Sequence, residues 1–279
     1  MAVISISRGS SRRALEVAEL VARQLQCRCL SREDVLRNAD LTDVDEAEVR
    51  SALDQPHSFM ERRLGNKDYH VARVRAALLT EISDDQVVYH GAAGHYFLRD
   101  IPHALKVRVL AALSDRVATL VESEGISAQE ALRLIEERDL ARRQWALQMY
   151  GVDSEDPTLY DLVLNVGKLE PDAAAAIICE LVQDAPFAST EQTRQELVNH
   201  GLVASVEAVL VDMEIDLDTV DIEARDGNVT IRAHGPPRTQ AGSSRDFASQ
   251  YVESLRHRLH LRTRHIPGLK AAHLELAKD

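Results

Sequence analysis

Short runs of β-branched and aliphatic residues alternate with helical stretches through residues 1–182, and this alternation restricts the fold more than any other feature of the chain. Val3–Ser7 is a strand-like run. Arg8-Gly9-Ser10-Ser11-Arg12-Arg13 follows as a small-residue turn, and Ala14, Leu15, Val17, Ala18, Val21, Ala22 and Leu25 then mark one face of a helix. Cys27–Leu30 reads as a second strand and Ser31-Arg32-Glu33-Asp34 as the cap of a helix. Residues 40–65 are polar, acidic and weakly periodic, and Tyr69–Ile82 is helical in pattern. Val87–His90 is a third strand with a close turn, Gly91-Ala92-Ala93-Gly94, behind it. Ala104–Leu113 contains a fourth strand, Tyr160–Val166 is a fifth, and Ala173–Val182 is a helix. Strands joined through helices need crossover connections, so the expected fold class is α/β, a parallel sheet flanked by helices on both faces with right-handed crossovers.

The stretch from Ser127 to Val166 carries the most local information. Ser127 and Glu130 have capping-box spacing at a helix start. The helix then presents Arg133, Arg138, Arg142 and Arg143, with Arg138 and Arg142 four apart on one face. The helical pattern stops at Gly151, an acidic turn follows (Asp153, Glu155, Asp156, Pro157), and YDLVLNV reads as a buried strand. Two readings of the arginines stand side by side. Guanidinium forks match phosphate oxygens in geometry and charge. Alternatively the helix is a solvated face on which Glu136, Glu137 and Asp139 pair with those arginines. Trp145, Met149 and Tyr150, at helical spacing, read as packing rather than a base-stacking platform.

Composition changes near Gln183–Ser189. Thr190–Val211 reads as a helix with an interruption at Gly201. Thr219–Arg225 and Asn228–Ala233 alternate and flank Asp226-Gly227, a hairpin signal because both residues tolerate positive φ. A breaker-rich loop runs from Gly235 to Ser244, Asp246–Leu261 is a helix and Leu269–Leu276 a strand. The expected organisation is therefore a first domain over residues 1–185 and a small α+β domain over 190–279.

The formal net charge is −12, which argues against a nucleic-acid binder, since neutralising a phosphate backbone needs clustered positive charge. Only 4% of the residues are aromatic, so the core must be aliphatic. Cys27, Cys29 and Cys179 are too few for a disulfide framework and suit reduced thiols. No apolar run reaches the roughly 18 residues of a membrane span, and MAVISISRGSSRR has no basic-then-apolar leader, so the expected location is cytoplasmic. His257, His260 and His265 lack an HExxH arrangement, and no metal site is expected.

Three segments resemble the cytidylate kinase-like family. VISISRGSSRRALEVAELVARQL is similar to its first strand, phosphate loop and first helix. VVYHGAAGHYFL is similar to its third strand and glycine turn. Residues 114–169 are similar to its lid and last strand. The resemblance implies a P-loop nucleoside monophosphate kinase fold and phosphoryl transfer from ATP to a nucleoside monophosphate, with Mg²⁺. It also implies phosphate-binding roles for Gly9, Ser10, Ser11, Arg12 and Arg13, and lid roles for Arg116, Arg138 and Arg142 with Asp139 as an orienting carboxylate. The turn after the third strand is His90, Gly91 and Gly94.

This chain departs from the pattern in two places. The phosphate-loop motif is G-x-x-x-x-G-K-[ST]; relatives with a GSGG-type loop also lack the lysine, but here Gly9 is the one glycine left. Relatives also carry arginine in a Gly-Arg-Gly where this chain has Tyr89-His90-Gly91, and His90 reads equally as a satisfied buried residue or one facing ligand. Arg62 and Arg63 are either acceptor-phosphate contacts or a solvated helix end.

The last ninety or so residues resemble a BON domain through VDIEARDGNVTIRAHG, SRDFASQYVESLRHRL and HIPGLKAAHLEL. That likeness implies a phospholipid, small-ligand or protein partner, with Arg256, Arg258, Arg262 and Arg264 either meeting an anionic surface or lying on a solvated face. Two functions stay open at this level. One is a nucleoside monophosphate kinase-like enzyme with cytidylate as leading acceptor, its catalysis either intact or impaired. The other is a nucleotide- or anion-sensing scaffold that signals through the C-terminal domain. Homo-oligomerisation fits either.

Overall fold

A computed structural model describes residues 3–8, 12–38, 66–83, 86–91, 93–234 and 245–276. In chain order the elements are β1 (Val3–Arg8), α1 (Arg12–Leu25), β2 (Arg28–Ser31), α2 (Arg32–Asn38), α3 (Asn66–Glu81), β3 (Val87–His90), α4 (Gly94–Phe97), β4 (Ala104–Leu110), α5 (Leu113–Glu124), α6 (Ala128–Tyr150), β5 (Leu162–Asn165), α7 (Pro171–Leu181), α8 (Glu191–Asp212), β6 (Val220–Arg225), β7 (Asn228–Ala233), α9 (Arg245–Thr263) and β8 (Ala271–Leu276). Gly9, Ser10, Ser11, Arg62, Arg63, the polar stretch 40–65 and the loop from Gly235 to Ser244 lie outside the described residues.

The chain divides into two compact units. One draws on Met1–Arg63 and Asp84–Arg194, the other on Leu64–Ser83 and Gln195–Asp279. Helix α3 therefore belongs with the second unit although it precedes β3 in the chain.

The first unit is built on a five-stranded sheet in the order β2-β3-β1-β4-β5, with every neighbour parallel. Strand pleating sorts its residues onto two faces. Ile4, Ile6, Val88, Leu105, Val107, Val109 and Leu164 face α1 and α7, where Val17, Ala18, Val21, Ala175 and Ile178 complete an aliphatic core. Cys27 and Cys179 border the same core, and burial pushes both thiols up from their ordinary pKa, which keeps them protonated. The opposite face carries Ser5 and Tyr89 under α4, and Tyr96 of α4 meets Trp145 of α6 edge-on at 6.2 Å. Trp145 is thus packing; the side chains of Met149 and Tyr150 lie outside what is described.

Helix boundaries follow local chemistry. Ser31 and Asp34 close a reciprocal cap at α2: Asp34 N–H donates to Ser31 Oγ at 3.0 Å and Ser31 N–H to Asp34 Oδ2 at 2.9 Å. Ser127 Oγ accepts from Glu130 N–H at 3.2 Å to open α6, and Gly151, at φ 67°, ends it in the left-handed conformation. Helices α5 and α6 form a hairpin with its own small core of Leu120, Ala131 and Ile135.

In the second unit β6 and β7 form an antiparallel hairpin through Asp226 and Gly227, both at positive φ, and β8 pairs parallel with β7. Helix α8 is unbroken through Gly201, contrary to the interruption expected there. Its setting explains why. One face of α8 lays Leu202, Val206 and Leu210 on the sheet. Another face receives α3: a Cβ on Gly201 would stand 3.8 Å from the Leu79 carbonyl, and Arg75 pairs with Glu207 at 2.5 Å. A helix buried on two faces reads as apolar all round, and its packing outweighs the small helical penalty of one glycine.

Gly94 is required by close approach. A Cβ there would collide with Ser5 Oγ and would lie 2.7 Å from the Tyr89 ring. Gly94→Ala is expected to destabilise the first unit by about 1–3 kcal/mol in urea unfolding, the cost of overpacking a filled site. An unchanged midpoint would contradict that packing.

Candidate functional site

In an open parallel sheet, ligands bind beyond the carboxyl ends of the strands where the connections diverge. Here that point is β1. The chain leaves it toward β2 on one side and later returns to β4 on the other. The groups to place are therefore those at the ends of β1, β3 and β4 and those above them.

Helices α5 and α6 bring Arg116, Asp139 and Arg142 together. Arg116 donates both terminal N–H groups to the Asp139 carboxylate at 2.7 and 2.8 Å, and Arg142 donates to the same carboxylate at 2.9 Å. Bidentate pairing of this kind fixes direction as well as distance. The Arg116 side chain is only 14% exposed, and its Nε is buried with no hydrogen-bond partner among the described residues. Asp139 thus bridges the two guanidinium groups. Arg138 goes elsewhere: its guanidinium meets Glu124 at 3.4 Å. Arg133 pairs with Glu137 at 2.7 Å on the exposed face. Within α6 the Arg133–Glu137 and Arg142–Asp139 pairs are those of the solvated-face reading, and Arg116 joins the second of them from α5.

Tyr160 is joined to β1 through Ser7. The charge of Arg142 acts on Tyr160, and the hydroxyls of Tyr160 and Ser7 share a hydrogen bond. Ser7 is two residues before Gly9. Tyr160 also donates to the Ser154 carbonyl at 3.0 Å, and Arg108 donates to that same carbonyl at 2.7 Å. The Arg108 guanidinium lies 5.6 Å from the centre of the Tyr160 ring. One carbonyl of the loop between α6 and β5 is thus pinned by two donors, Arg108 of β4 and Tyr160 of the loop itself. Asp161 adds a second pin: it accepts from the Lys106 backbone N–H at 2.8 Å and pairs with the Lys106 ammonium at 3.4 Å.

His95 closes the cluster. Its Nε2 is 3.2 Å from the Tyr160 hydroxyl. With the tyrosine proton given to Ser154, Nε2 carries the histidine's hydrogen, and Nδ1 is left a buried acceptor without a partner among the described residues. Burial, with Arg108 adding repulsion, lowers the His95 pKa to about 3, so the ring is neutral.

The phosphate-loop candidates are placed differently. Gly9, Ser10 and Ser11 lie outside the described residues. Arg12 is exposed at the start of α1. Arg13 donates to Glu170 at 2.8 Å and to the Leu169 carbonyl at 3.4 Å. His90 is buried at the end of β3, in register with Ile6 and Ser31. Gly91 approaches closely, since a Cβ would stand 2.9 Å from the Tyr89 hydroxyl.

Sequence reasoning missed Arg108, His95, Tyr160 and Glu170 as members of this neighbourhood. A signal existed for one of them. In Lys106-Val107-Arg108-Val109 the charges are two apart, so both lie on the sheet face away from α1. Nothing local reports that Glu170 meets a residue at the start of α1.

A family model described as the cytidylate kinase-like family matches residues 3–168. The chain belongs to this family. Among curated relatives, the cytidylate kinase of Thermococcus sibiricus is 36% identical over 95 residues, covering 34% of this chain and 48% of its own length. That of Pyrococcus horikoshii is 32% identical over 95 residues with the same coverage of 34% and 48%. The chain thus spans about half the length of the curated relatives it matches. Among solved structures, an uncharacterized protein from Eubacterium ventriosum aligns with a TM-score of 0.51 at 17% identity, covering 65% of this chain and 97% of that one, a likeness of fold. The family and the parallel sheet together make this a P-loop kinase fold of cytidylate kinase-like type.

The buried neutral His95 gives a pH dependence. Its folded-state pKa lies below the ordinary histidine value, so protonation favours the unfolded chain. Its stabilising contribution is complete above about pH 6.5 and falls as pH drops from there toward about 3. Urea unfolding between about pH 7 and pH 4.5 should show an excess slope approaching one proton, about 1.4 kcal/mol per pH unit, that His95→Gln removes. Equal slopes in parent and variant would contradict a neutral buried imidazole.

Proposed function

We propose that this protein binds a nucleoside monophosphate, cytidylate first among them, in the crevice beyond β1, and that its phosphoryl transfer is impaired. The observation that supports binding is the Asp139 carboxylate gathering Arg116 of α5 and Arg142 of α6. Two oriented guanidinium groups are a suitable host for a phosphate monoester. The reading of impaired transfer rests on the turn after β1, with one glycine and no lysine, and on His90 in place of a permanent cation. Losing a single transition-state arginine lowers phosphoryl-transfer rates by on the order of a thousandfold or more.

The residues at the helix start do not fit Mg²⁺ as a P-loop holds it. The motif places a Ser or Thr hydroxyl after its basic residue, whereas Arg12 and Arg13 are followed by Arg13 and Ala14. Among the described residues no three His, Cys, Asp or Glu side chains gather as a metal site.

A second reading is a sensing scaffold, favoured by one observation. Helix α3, which lies between β2 and β3 in the chain, packs into the second unit. The second unit's order α8-β6-β7-α9-β8 supports the BON-like likeness. In this reading a nucleotide or anion held by the first unit alters the C-terminal unit and a lipid or protein partner there, with α3 as the link.

A coupled assay with ATP and a panel of nucleoside monophosphates, paired with thermal shifts, separates these outcomes. CMP should raise the melting temperature with increasing concentration, Arg142→Ala should abolish most of that shift, and turnover should stay far below the 1–100 s⁻¹ usual for kinases. Turnover in that usual range would remove the reading of impaired transfer, and the absence of any shift with every monophosphate would remove the binding reading.

A further inference from the structure

Strand β6 is one edge of the second unit's sheet, whose order is β6-β7-β8. An edge strand offers a row of backbone N–H and C=O groups to any chain that can lie beside it. Which residues offer them follows from the ladder. Val220 is in register with Ala233, and one residue on, His234 N–H donates to the Thr219 carbonyl at 2.8 Å. Hydrogen-bonded and non-bonded pairs alternate along an antiparallel ladder. Thr219, Asp221, Glu223 and Arg225 therefore direct their backbone groups at β7, while Ile222 and Ala224 direct theirs away from it. Among the described residues nothing bonds to those outward groups.

The two edges of this sheet differ. By the same alternation Val229, Ile231 and Ala233 of β7 bond to β8, which turns the Leu274 carbonyl of β8 outward. Arg256 of α9 covers that carbonyl, donating its Nε at 3.2 Å and a terminal N–H at 3.1 Å. A basic side chain laid on an edge blunts it against further pairing. Leu274 is buried, as are Val229 and Ile231 of the central strand. On β6 the side chains on that same face, Val220, Ile222 and Ala224, pack against the core yet stay partly exposed.

The open edge is complementary to itself. Asp221, Glu223 and Arg225 alternate along its outer face. Two copies of β6 laid antiparallel about Glu223 set Ile222 opposite Ala224 of the second copy, so that their outward N–H and C=O groups bond to one another. The same register sets Asp221 opposite Arg225 of the second copy on both sides of the axis, an opposite-charge pair. Both charges are accessible: the Arg225 side chain is 92% exposed and 3.7 Å from Asp226, and that of Asp221 is 62% exposed with His234 at 2.9 Å. Glu223, which meets its own equivalent on the axis, is balanced by Arg232 at 3.0 Å. Centring the pair on Ile222 instead opposes Asp221 to Glu223 of the second copy, a like-charge contact that is unfavourable. Centring it on Ala224 drives the turn residues Asp226 and Gly227, both at positive φ, into the ladder.

We propose that β6 is a docking edge for a second copy of this chain, paired antiparallel about Glu223 so that the two small sheets become one. The proposal concerns the second unit and does not depend on what the first unit binds. A contact along one short strand is small against the roughly 1,200–2,000 Å² of stable interfaces, so the dimer is weak and reversible.

The test is sedimentation velocity of the full chain across the micromolar range, for the parent, Ala224→Pro, Asp221→Arg, Arg225→Glu and an equimolar mixture of the last two. Far-UV circular dichroism and the melting temperature establish that each variant is folded; proline at position 224 removes an outward N–H and leaves the ladder to β7 in place. The parent should pass from monomer to dimer as its concentration rises, and Ala224→Pro should stay monomeric. Asp221→Arg and Arg225→Glu should each raise the dissociation constant by about tenfold or more, because each makes both charge pairs repulsive. The mixture should restore the parent's value, because opposite charges then face each other again. A dimer that none of these variants weakens, or weakened variants that mixing fails to restore, overturns the proposal. A chain that is monomeric throughout also overturns it, whether Ala224→Pro lowers the melting temperature, as an edge already covered within the chain requires, or leaves it unchanged, as an edge kept for another protein requires.

Discussion

One carboxylate, Asp139, holds two guanidinium groups in place, and the functional reading of the first unit depends on it. Two positive charges about 6 Å apart near a protein surface repel by on the order of 3 kcal/mol. Without a bridging anion, Arg116 and Arg142 would swing apart into solvent. With it they stay on adjacent helices, oriented and short of one negative charge. On the proposed reading, such a site takes a ligand that brings more negative charge than Asp139 alone provides.

The rest of the first unit sets where that bridge stands. The parallel sheet brings Ser7 and Arg108 to neighbouring positions at the strand ends. Arg108 and Tyr160 both bond to the Ser154 carbonyl, which fixes the return from α6 into β5. His95 supports Tyr160 from beneath and remains neutral because it is buried beside a cation. Ser7 and Arg108 thus lie on the sheet face opposite the aliphatic core that packs on α1. The same strands serve both because their side chains alternate.

Much of this was legible from local pattern. Val87–His90 is four consecutive strand formers, Gly151 stops a long helix, and Asp226-Gly227 makes a two-residue hairpin turn; each signal lies within a few residues of its effect. The family likeness singled out Arg116, Arg138 and Arg142 with Asp139, and the fold brings three of these four together. What stayed hidden depends on distant neighbours. Arg13 meets Glu170, 157 positions later. Helical spacing shows that α3 has an apolar face but not that α8 will cover it. Gly201 reads as a helix breaker until Leu79 is set against it, whereupon a glycine is simply the residue that lets two helices approach. Arg138 shares a helix face with Arg142, yet Glu124 of the facing helix draws its head group away.

The most direct measurement is a double-mutant cycle on CMP affinity, by titration calorimetry, for the parent chain, Arg116→Ala, Arg142→Ala and the double variant. If Asp139 makes the two arginines one site, either single change should remove most of the binding energy and the second should add little. Equal CMP affinity in all four forms would contradict a shared anion site.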